Sequence, residues 1–428
     1  MKMGLSVCRM VRVAFSCVAL VCLYGTCVCR AEGKNPDGIP PGMTKFEGKV
    51  STWPLWESYV AYFVNADGRV IDHDAGERTT SEGQAYGLFF CLVANDRARF
   101  DHLLAWTVDN LAQGDLTAHL PAWEWGHASD GKWRVLDTNS AADADVWMSY
   151  TLLQAGRLWQ EPRYRSLGMA LAAQVAAREV KSLPKLGPTL LSASEGFSTT
   201  DSKTSFWILN PSYSPLPVLT GMAHGMPQGP WHAMAKRLPT FLQHSSIRGF
   251  AMDWVRYDAS GNFTPVVLPG SPKDQQPAGS YDAIRVYLWA GLAPRSMPGA
   301  SSALHAVLGM EHYLSDHPIP PRMVSAAGQA IADDGSVGLS AALLPYLTAL
   351  GAKQQAAQQE DRMAALRDAK TGLYGAQPHY YEQVLALFAE GWLQHRYRFA
   401  ATGDLQVAWS RPETATGSKA APQAGERR

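Results

Sequence analysis

Cysteine is almost absent from the part of this chain that could form a folded domain. Five of the six cysteines lie before residue 30, and the sixth, Cys91, stands in the apolar run 88–93. One cysteine cannot form an internal disulfide, and apolar neighbours favour a buried thiol over a reactive one. We therefore predict a domain without disulfides, in which Cys91 belongs to the core.

Net charge is lacking as well. Lysine and arginine together number 38, aspartate and glutamate together also number 38, and only 18% of the residues are charged. This balance predicts neither nucleic acid nor an anionic membrane surface as a partner. The 12 histidines are scattered and show no metal-ligand spacing with other residues, so we predict no metal and no cofactor.

The first 31 residues have the pattern of a secretory signal. Basic residues precede an apolar stretch at 13–29, and small residues follow it. The stretch is short for a membrane span, which favours cleavage over a retained anchor. A lipoprotein site at Cys27 is a further alternative. We predict a signal peptide over 1–31 and a secreted, periplasmic or extracellular protein that does not contact the membrane after cleavage.

The rest of the chain divides into a linker, one domain and a tail. Residues 32–52 are rich in glycine and proline and predict a linker. Residues 411–428 combine small, polar and charged residues and predict a disordered tail. Between them, at 53–410, apolar residues recur with the period of a helix and predict an all-α domain.

The helical periods predict helix bounds, and the connections between them are long. The predicted helices are 53–64, 82–95, 98–112, 143–160, 163–179, 229–244, 281–292, 301–314, 338–350 and 379–395. The signal for β-strands is sparse and confined to short pieces near 248–266. Long connections at 114–140 and 181–228 contain proline and tryptophan, and we expect a functional site where such connections meet.

Glu82 stands in the segment 79–87, between small and aromatic neighbours at the start of an apolar run. An acid in the first turn of a helix often only stabilises the helix dipole, and Ser81 could cap that helix. An enclosed aromatic setting would instead raise the pKa of the acid and let it donate a proton. Glu82 is therefore a candidate general acid.

Two further acidic clusters follow downstream. Asp143 and Asp145 are two residues apart on a predicted helix, so one can cap the helix while the other points elsewhere. We assign Asp143 to the cleft. Asp282 precedes Arg285 by three residues, which is the spacing either of an ordinary helix pair or of a base kept ionised by a cation. Three competing acids rank lower: Glu57, Glu124 and Glu382.

Aromatic residues are abundant, with 14 tryptophans and 16 tyrosines. Flat rings stack on the faces of sugar rings, and aromatic residues in connections are less easily explained as core residues than those on helices. Separated carboxylates among many aromatic rings are what hydrolysis of a glycosidic bond requires. Trp106 and Trp159 have helical spacing and are predicted core residues. The predicted substrate-binding residues are Trp125, Trp133, Tyr213, Trp254, Tyr281 and Arg285.

Taken in order along the chain, eight segments resemble the glycoside hydrolases of family 8. Within that family they are most similar to the periplasmic endoglucanases encoded with bacterial cellulose synthase. The sequence departs from the family signature at Ala142, where serine or threonine is usual, and at Ser149, where alanine is usual; both are exchanges between small residues. The matching segments are 79–87, 95–97, 120–126, 136–140, 143–159, 210–213, 253–257 and 280–291.

The resemblance implies an (α/α)6 barrel, in which six inner and six outer helices leave an open cleft at one end. It implies inverting hydrolysis of internal β-1,4-glucosidic bonds of cellulose during its synthesis and export, without a metal. Glu82 matches the proton donor, Asp282 the base and Asp143 an acid that binds the distorted sugar. Tyr213 resembles a tyrosine near the cleaved bond. The implied partners are a β-1,4-glucan chain and the export complex of the synthase.

Several alternatives stay open on the sequence. Chitosanase, β-1,3-1,4-glucanase (lichenase) and xylanase activities belong to the same fold, and a non-catalytic glucan-binding export factor is a different class of protein. Extra acids in the cleft would favour chitosan, and Glu124 is the single candidate for such an acid. The sequence also leaves open which of Asp143 and Asp282 activates the water.

Overall fold

The computed structural model describes residues 52–200 and 205–410 of the chain. The predicted signal peptide, the predicted linker up to residue 51 and the predicted tail lie outside the described residues. The described part is mostly helical. Its thirteen α-helices are α1 (Pro54–Phe63), α2 (Ser81–Ala94), α3 (Arg97–Leu111), α4 (Ala142–Leu158), α5 (Pro162–Arg178), α6 (Leu216–Gly225), α7 (Trp231–Ser245), α8 (Ile284–Leu292), α9 (Ala300–His305), α10 (Gly309–Asp316), α11 (Val337–Leu350), α12 (Lys353–Ala365) and α13 (Tyr380–Leu393).

Six of these helices form a closed inner ring. Helix α2 packs on α4, α4 on α6, α6 on α8, α8 on α11, α11 on α13, and α13 returns to α2. Inner helices are buried on nearly every side, and in α4 every residue from 142 to 156 is buried. A helix that is buried all round has to be covered by other helices, so the ring requires an outer layer.

The outer layer supplies one cover for each inner helix. Helix α1 packs on α13, α3 on α2, α5 on α4, α7 on α6, α9 on α8 and α12 on α11, while α10 is an addition beside α12. The outer helices expose one face, as α12 shows, where Ala356, Gln359 and Met363 are the buried positions. Inner ring and outer cover together confirm the predicted (α/α)6 barrel.

Short antiparallel strands occupy many of the connections, so confining β structure to the region near 248–266 was wrong. Hairpins also form within 114–140 and 181–228, where glycines such as Gly131, at a φ of 82°, allow tight turns. The sheets are β1-β2-β3, β6-β7-β8-β9, β10-β11-β12, β4-β5 and β13-β14. The strands are β1 (Thr79–Thr80), β2 (Glu124–His127), β3 (Trp133–Asp137), β4 (Val180–Leu183), β5 (Gly187–Leu190), β6 (Ser198–Thr200), β7 (Ser205–Leu209), β8 (Val255–Asp258), β9 (Phe263–Pro265), β10 (Ala278–Gly279), β11 (Met323–Ser325), β12 (Ala330–Ala332), β13 (Tyr397–Phe399) and β14 (Leu405–Val407).

The structure corrects several predicted helix bounds. The predicted helix 281–292 begins at Ile284, because residues 281–283 form a turn. The predicted helix 301–314 is two helices, α9 and α10. Helices α6 and α12 were not predicted: α6 has Pro215 as its N-cap and lies inside the predicted connection 181–228, and α12 is too polar to show a clear apolar period.

The C-terminal hairpin β13-β14 fastens the chain end to the barrel. The Tyr150 hydroxyl donates to the Gly403 carbonyl at 2.7 Å, and Gly403 lies directly against Gly221 of α6. The Trp409 indole donates to the Leu92 carbonyl at 2.9 Å, and its ring stacks on that of Trp159 at 6.2 Å. The hairpin and the residues that follow it therefore tie together three inner helices, α2, α4 and α6.

Three predictions about the core can be compared with the structure. Cys91 is fully buried and Trp106 is buried, as predicted, while Trp159 is only partly buried. Within residues 52–200 and 205–410, no helix has both the length and the apolar character that crossing a membrane requires.

The close approach of α6 to the hairpin gives a test of the packing. In Gly221→Ala the new Cβ would lie 2.6 Å from the Gly403 oxygen, so we expect the free energy of unfolding to fall by about 1–3 kcal/mol. In the control Gly225→Ala, on the same helix, the nearest atom is 3.8 Å away, and we expect no loss. Urea denaturation measures both variants, and equal stabilities would contradict this account.

Candidate active site

The guanidinium group of Arg285 lies among three carboxylates. Its Nη1 donates to Glu82 Oε2 and, at 3.1 Å, to Asp143 Oδ2. Its Nη2 donates to Asp282 Oδ1 at 2.8 Å and to the Ser212 hydroxyl at 3.0 Å. Only 2% of the Arg285 side chain is exposed. The structure thus brings the three predicted catalytic acids together around one buried cation.

Aromatic residues surround the same guanidinium. The Arg285 Cζ atom lies 5.5 Å from the ring centroid of Tyr213 and 6.0 Å from that of Tyr381. Its Nη1 lies 3.4 Å from the Tyr86 hydroxyl. Rings at these distances attract a cation through their electron-rich faces. They add to the stabilisation of Arg285 while contributing no further negative charge.

Local capping places Glu82. Thr80, and not the predicted Ser81, is the N-cap of α2, and its Oγ1 accepts the Gly83 amide at 3.1 Å. The Ser81 amide donates to the Trp123 carbonyl at 3.0 Å, which joins this helix start to the β1-β2 sheet. Glu82 follows as the second residue of α2, with 21% of its side chain exposed. It can therefore meet both Arg285 and solvent.

The two acids at the start of α4 point in different directions, as their spacing predicts. Asp143 accepts the Ala144 amide at 2.9 Å and turns toward Arg285. Asp145 is fully buried and interacts with Glu179. Burial, with the charges of Glu179 and Asp143 adding to it, raises the pKa of Asp145 well above its usual range, and burial raises the pKa of Glu179 to about 8. This second pair therefore retains a proton at neutral pH.

The three carboxyl groups around Arg285 all have raised pKa values. Burial raises the pKa of Glu82 to about 7; Arg285 opposes this rise, and the charges of Asp143 and Asp282 add to it. Burial also raises the pKa of Asp143 and of Asp282, and Arg285 opposes both shifts. Near neutral pH, Glu82 is accordingly poised between its acid and its ionised form.

Trp125 and Trp133 lie on the hairpin β2-β3 rather than at the guanidinium of Arg285. Their rings stack at 5.1 Å, and the Arg69 guanidinium lies 4.6 Å from the Trp125 centroid and 4.7 Å from the Trp133 centroid. Trp125 pairs with Thr79 across the β1-β2 sheet, three residues before Glu82. Trp133 is 45% exposed. The two rings form an accessible aromatic surface beside the strand that leads to the acid.

The other predicted sugar-contacting rings lie nearer to Asp282. Tyr213 meets Trp254 edge to face at 5.9 Å, and Trp254 stacks on Phe197 at 5.7 Å. Tyr281 is 38% exposed, and its carbonyl accepts the Tyr381 hydroxyl at 2.9 Å. These rings lie next to Asp282, whereas Trp125 and Trp133 lie beside the strand that precedes Glu82.

The acids ranked lower have other roles. Glu57 is exposed on α1, and Glu382 is buried against Gly338. Glu124 forms an ion pair with Arg78 at 3.1 Å. A neutralised Glu124 is not the extra free acid that a polyamine substrate would favour.

Sequence reasoning missed three residues that contact Arg285. Tyr86 and Ser212 stand inside the motifs that pointed to Glu82 and Tyr213, so the motif blocks contained a signal for them. Tyr381 had no such signal, because it stands next to the lower-ranked Glu382 at the start of α13. Only closure of the helix ring brings Tyr381 to the site.

The chain is similar to a known protein family, to named relatives and to solved structures. Residues 45–395 match the family described as glycosyl hydrolases family 8. The chain is 41% identical over 359 residues to the endoglucanase of Escherichia coli O157:H7, covering 84% of this chain and 92% of that relative. It is 41% identical over 379 residues to the endoglucanase of Xanthomonas axonopodis pv. citri (strain 306), covering 88% and 94%. The crystal structure of endo-1,4-D-glucanase from Vibrio fischeri ES114 is 38% identical, with a TM-score of 0.76, and covers 84% of this chain and 100% of that one.

The shared cation makes stability depend on pH in a testable way. In Arg285→Met three carboxylates lose their partner, and we expect the free energy of unfolding at pH 7 to fall by about 3–5 kcal/mol. Without the cation the carboxyl pKa values rise further. Acidification then protonates these groups and removes their repulsion, so the deficit relative to the unaltered protein should shrink between pH 7 and pH 5.

Urea denaturation at the two pH values measures this deficit. Arg78→Met is the control, because Arg78 pairs with Glu124 and Asp72 with 31% of its own side chain exposed. Such a pair contributes about 0–1 kcal/mol. An Arg285→Met deficit of the same size at both pH values would contradict the account.

Proposed function

Since this chain belongs to family 8 of the glycosyl hydrolases and is an endo-β-1,4-glucanase, we propose that Glu82 and Asp282 cleave internal bonds of cellulose by an inverting mechanism. The single observation that supports these roles is the contact of both carboxylates with different nitrogens of one guanidinium. Inverting hydrolysis assigns one carboxyl group to the leaving oxygen and the other to the attacking water.

Glu82 is the proposed proton donor. Its pKa of about 7 lets it carry a proton near neutral pH. As the bond between C1 and the glycosidic oxygen breaks, Glu82 gives this proton to the leaving oxygen, so the departing chain leaves as a neutral alcohol. Arg285 then holds the glutamate anion that the transfer produces.

Asp282 is the proposed base, and Asp143 the proposed sugar-binding acid. One third of the Asp282 side chain is exposed, against 4% for Asp143, so water reaches Asp282 more readily. Asp282 takes a proton from a water whose oxygen attacks C1 from the face opposite the leaving oxygen, which inverts the configuration at C1. Asp143, fixed by Arg285 and by the Ala144 amide, is placed to accept a hydrogen bond from the distorted sugar.

The aromatic surfaces are the proposed sugar subsites. Trp125 and Trp133 offer a stacked, partly exposed pair beside the strand that carries the chain to Glu82. Tyr213, Trp254 and Tyr281 offer rings on the Asp282 side. A glucan chain lying across Arg285 would meet aromatic rings on both sides of the bond that is cut, which fits cleavage inside a long polymer.

The biological setting of this activity is also a proposal. The charge and apolar pattern of residues 1–31 supports export of the protein to the periplasm or beyond. There it would cut nascent or misordered cellulose during polymer export, beside the export complex of a synthase. We propose that the protein contacts no membrane after cleavage of the leader and binds no nucleic acid.

Loss of the proton donor gives the first test. Glu82→Gln should lower the rate of viscosity loss of carboxymethylcellulose by about 10²–10⁴-fold, because an amide cannot supply the proton. Glu57→Gln is the matched control, since Glu57 is an exposed first-turn acid of α1, and it should keep full activity.

Parallel assays on chitosan, mixed-linkage glucan and xylan separate the alternative substrates. Activity on one of these with none on carboxymethylcellulose would transfer the function to that sugar. A protein that is inactive on all four, and whose biological effect survives Glu82→Gln, would be a glucan-binding export factor.

The pKa of Glu82 gives a second test. A proton donor acts in its acid form, which prevails below its pKa and is lost above it, so kcat/KM should fall about tenfold per pH unit above pH 7. A cello-oligosaccharide with a dinitrophenyl leaving group needs no proton and should lose this alkaline limb. A plateau up to pH 9 on unmodified cello-oligosaccharides would exclude the assignment.

A further inference from the structure

Asp253 makes three hydrogen bonds to the turn that carries Asp282. Its Oδ1 accepts the amides of Ser280 at 2.7 Å and Ala283 at 2.8 Å. Its Oδ2 accepts the Ser280 hydroxyl at 2.6 Å. One carboxylate therefore closes both ends of the four-residue turn in which Asp282 is the third residue.

The backbone around Asp253 is fixed to the same region. The Asp253 amide donates to the Ala278 carbonyl at 2.9 Å, and the Ala251 amide donates to the Tyr287 hydroxyl of α8 at 3.0 Å. Gly279 passes so close to the Ala251 carbonyl that a Cβ at Gly279 would overlap it. Segment 251–253 is thus held against both β10 and α8, and its carboxylate has a defined place.

The hydrogen-bond acceptor at the start of α8 comes from a distant residue and not from a local one. The N-cap of α8 is Ala283, which provides no side-chain cap. The acceptor comes instead from a residue 27 positions before Ser280 and 30 before Ala283. A remote acceptor fixes the turn relative to the neighbouring chain segment as well as satisfying its amides. The following residue, Trp254, belongs to the aromatic surface beside Asp282.

We propose that Asp253 is a positioning residue for the hydrolytic reaction. By holding both ends of the turn 280–283, it sets the Asp282 carboxylate against Arg285 and against the attacking water. This inference rests on the proposed role of Asp282 as the base. Asp253 itself touches neither the sugar nor the reacting atoms, so its effect reaches the reaction through Asp282.

Substrates with different leaving groups distinguish an effect of a variant on the base from an effect on the acid. A dinitrophenyl cello-oligosaccharide departs without a proton and needs only the base, whereas the unmodified oligosaccharide needs both groups. Asp253→Ala should lower kcat about 10²-fold on both substrates, because a base displaced by about 1 Å loses that much rate. Its KM should stay within about twofold.

Related variants supply the comparison. Asp253→Asn keeps an oxygen for the two amides and an NH₂ for the Ser280 hydroxyl, so it should restore kcat to within a few-fold of the unaltered enzyme. Ser280→Ala removes only the hydroxyl bond and should lower kcat by a smaller factor. Asp368→Ala is the control, because Asp368 accepts two amides and one hydroxyl in an exposed turn after α12, and it should leave kcat unchanged.

Three results would overturn the proposal. Asp253→Ala could match the Asp368→Ala control in kcat, or its loss could disappear on the dinitrophenyl substrate, which would assign its effect to Glu82. Should Asp253→Ala fail to fold, an unchanged kcat in Ser280→Ala would overturn the proposal as well. Failure of the proposed function looks different: Asp282→Asn would keep full activity on the dinitrophenyl substrate.

Discussion

One buried guanidinium group binds all three acids of the candidate active site. Three acids from distant parts of the chain meet around Arg285, and each would be costly so close to the others without it. One cation balances only one of the three negative charges, so the site favours keeping a proton on one of the carboxyl groups. Burial, with the charges of Asp143 and Asp282 adding to it, raises the pKa of Glu82 to about 7 and so poises this acid near neutrality. The Trp289 indole, one turn further along α8, donates to the Ser212 carbonyl at 2.9 Å and so helps to hold a partner of Arg285 in place.

The helix ring makes this meeting possible because its inner helices begin at a common end. Glu82, Asp143, Arg285 and Tyr381 are each the second residue of an inner helix. Tyr213 and Ser212 stand a few residues before another, α6. Helix N-termini carry a partial positive charge, which stabilises the carboxylates of α2 and α4 in the same sense as Arg285 does. The outer helices return the chain to that end each time, and the short β hairpins shape its rim.

Much of the site could be read from the sequence, because its acids stand in ordered local motifs. The two-residue spacing correctly separated Asp143 from Asp145, and the Asp-Arg spacing correctly placed Asp282 beside Arg285. The contact of Tyr381 with Arg285 could not be predicted, since it depends on ring closure and not on a local pattern. The sequence predicts a helix from residue 281, whereas residues 281–283 form a turn; the acceptor that holds this turn, Asp253, is remote in sequence and leaves no local signal. The hairpins were not predicted, because a strand of three or four residues is too short to show a clear alternation of apolar and polar residues.

Closure of the ring also sets the order in which this chain can become a folded protein. The first helix packs on the last, and the Trp409 indole bonds to Leu92 across 317 positions of sequence. Contacts between residues so far apart in sequence form slowly, because the chain loses the entropy of a long loop before the contact can offset that loss. A ribosome-bound chain that lacks α13 leaves one side of α2 bare and the barrel open. The ring can therefore close only once α13 has been made, so the barrel is completed after nearly the whole chain has been synthesised.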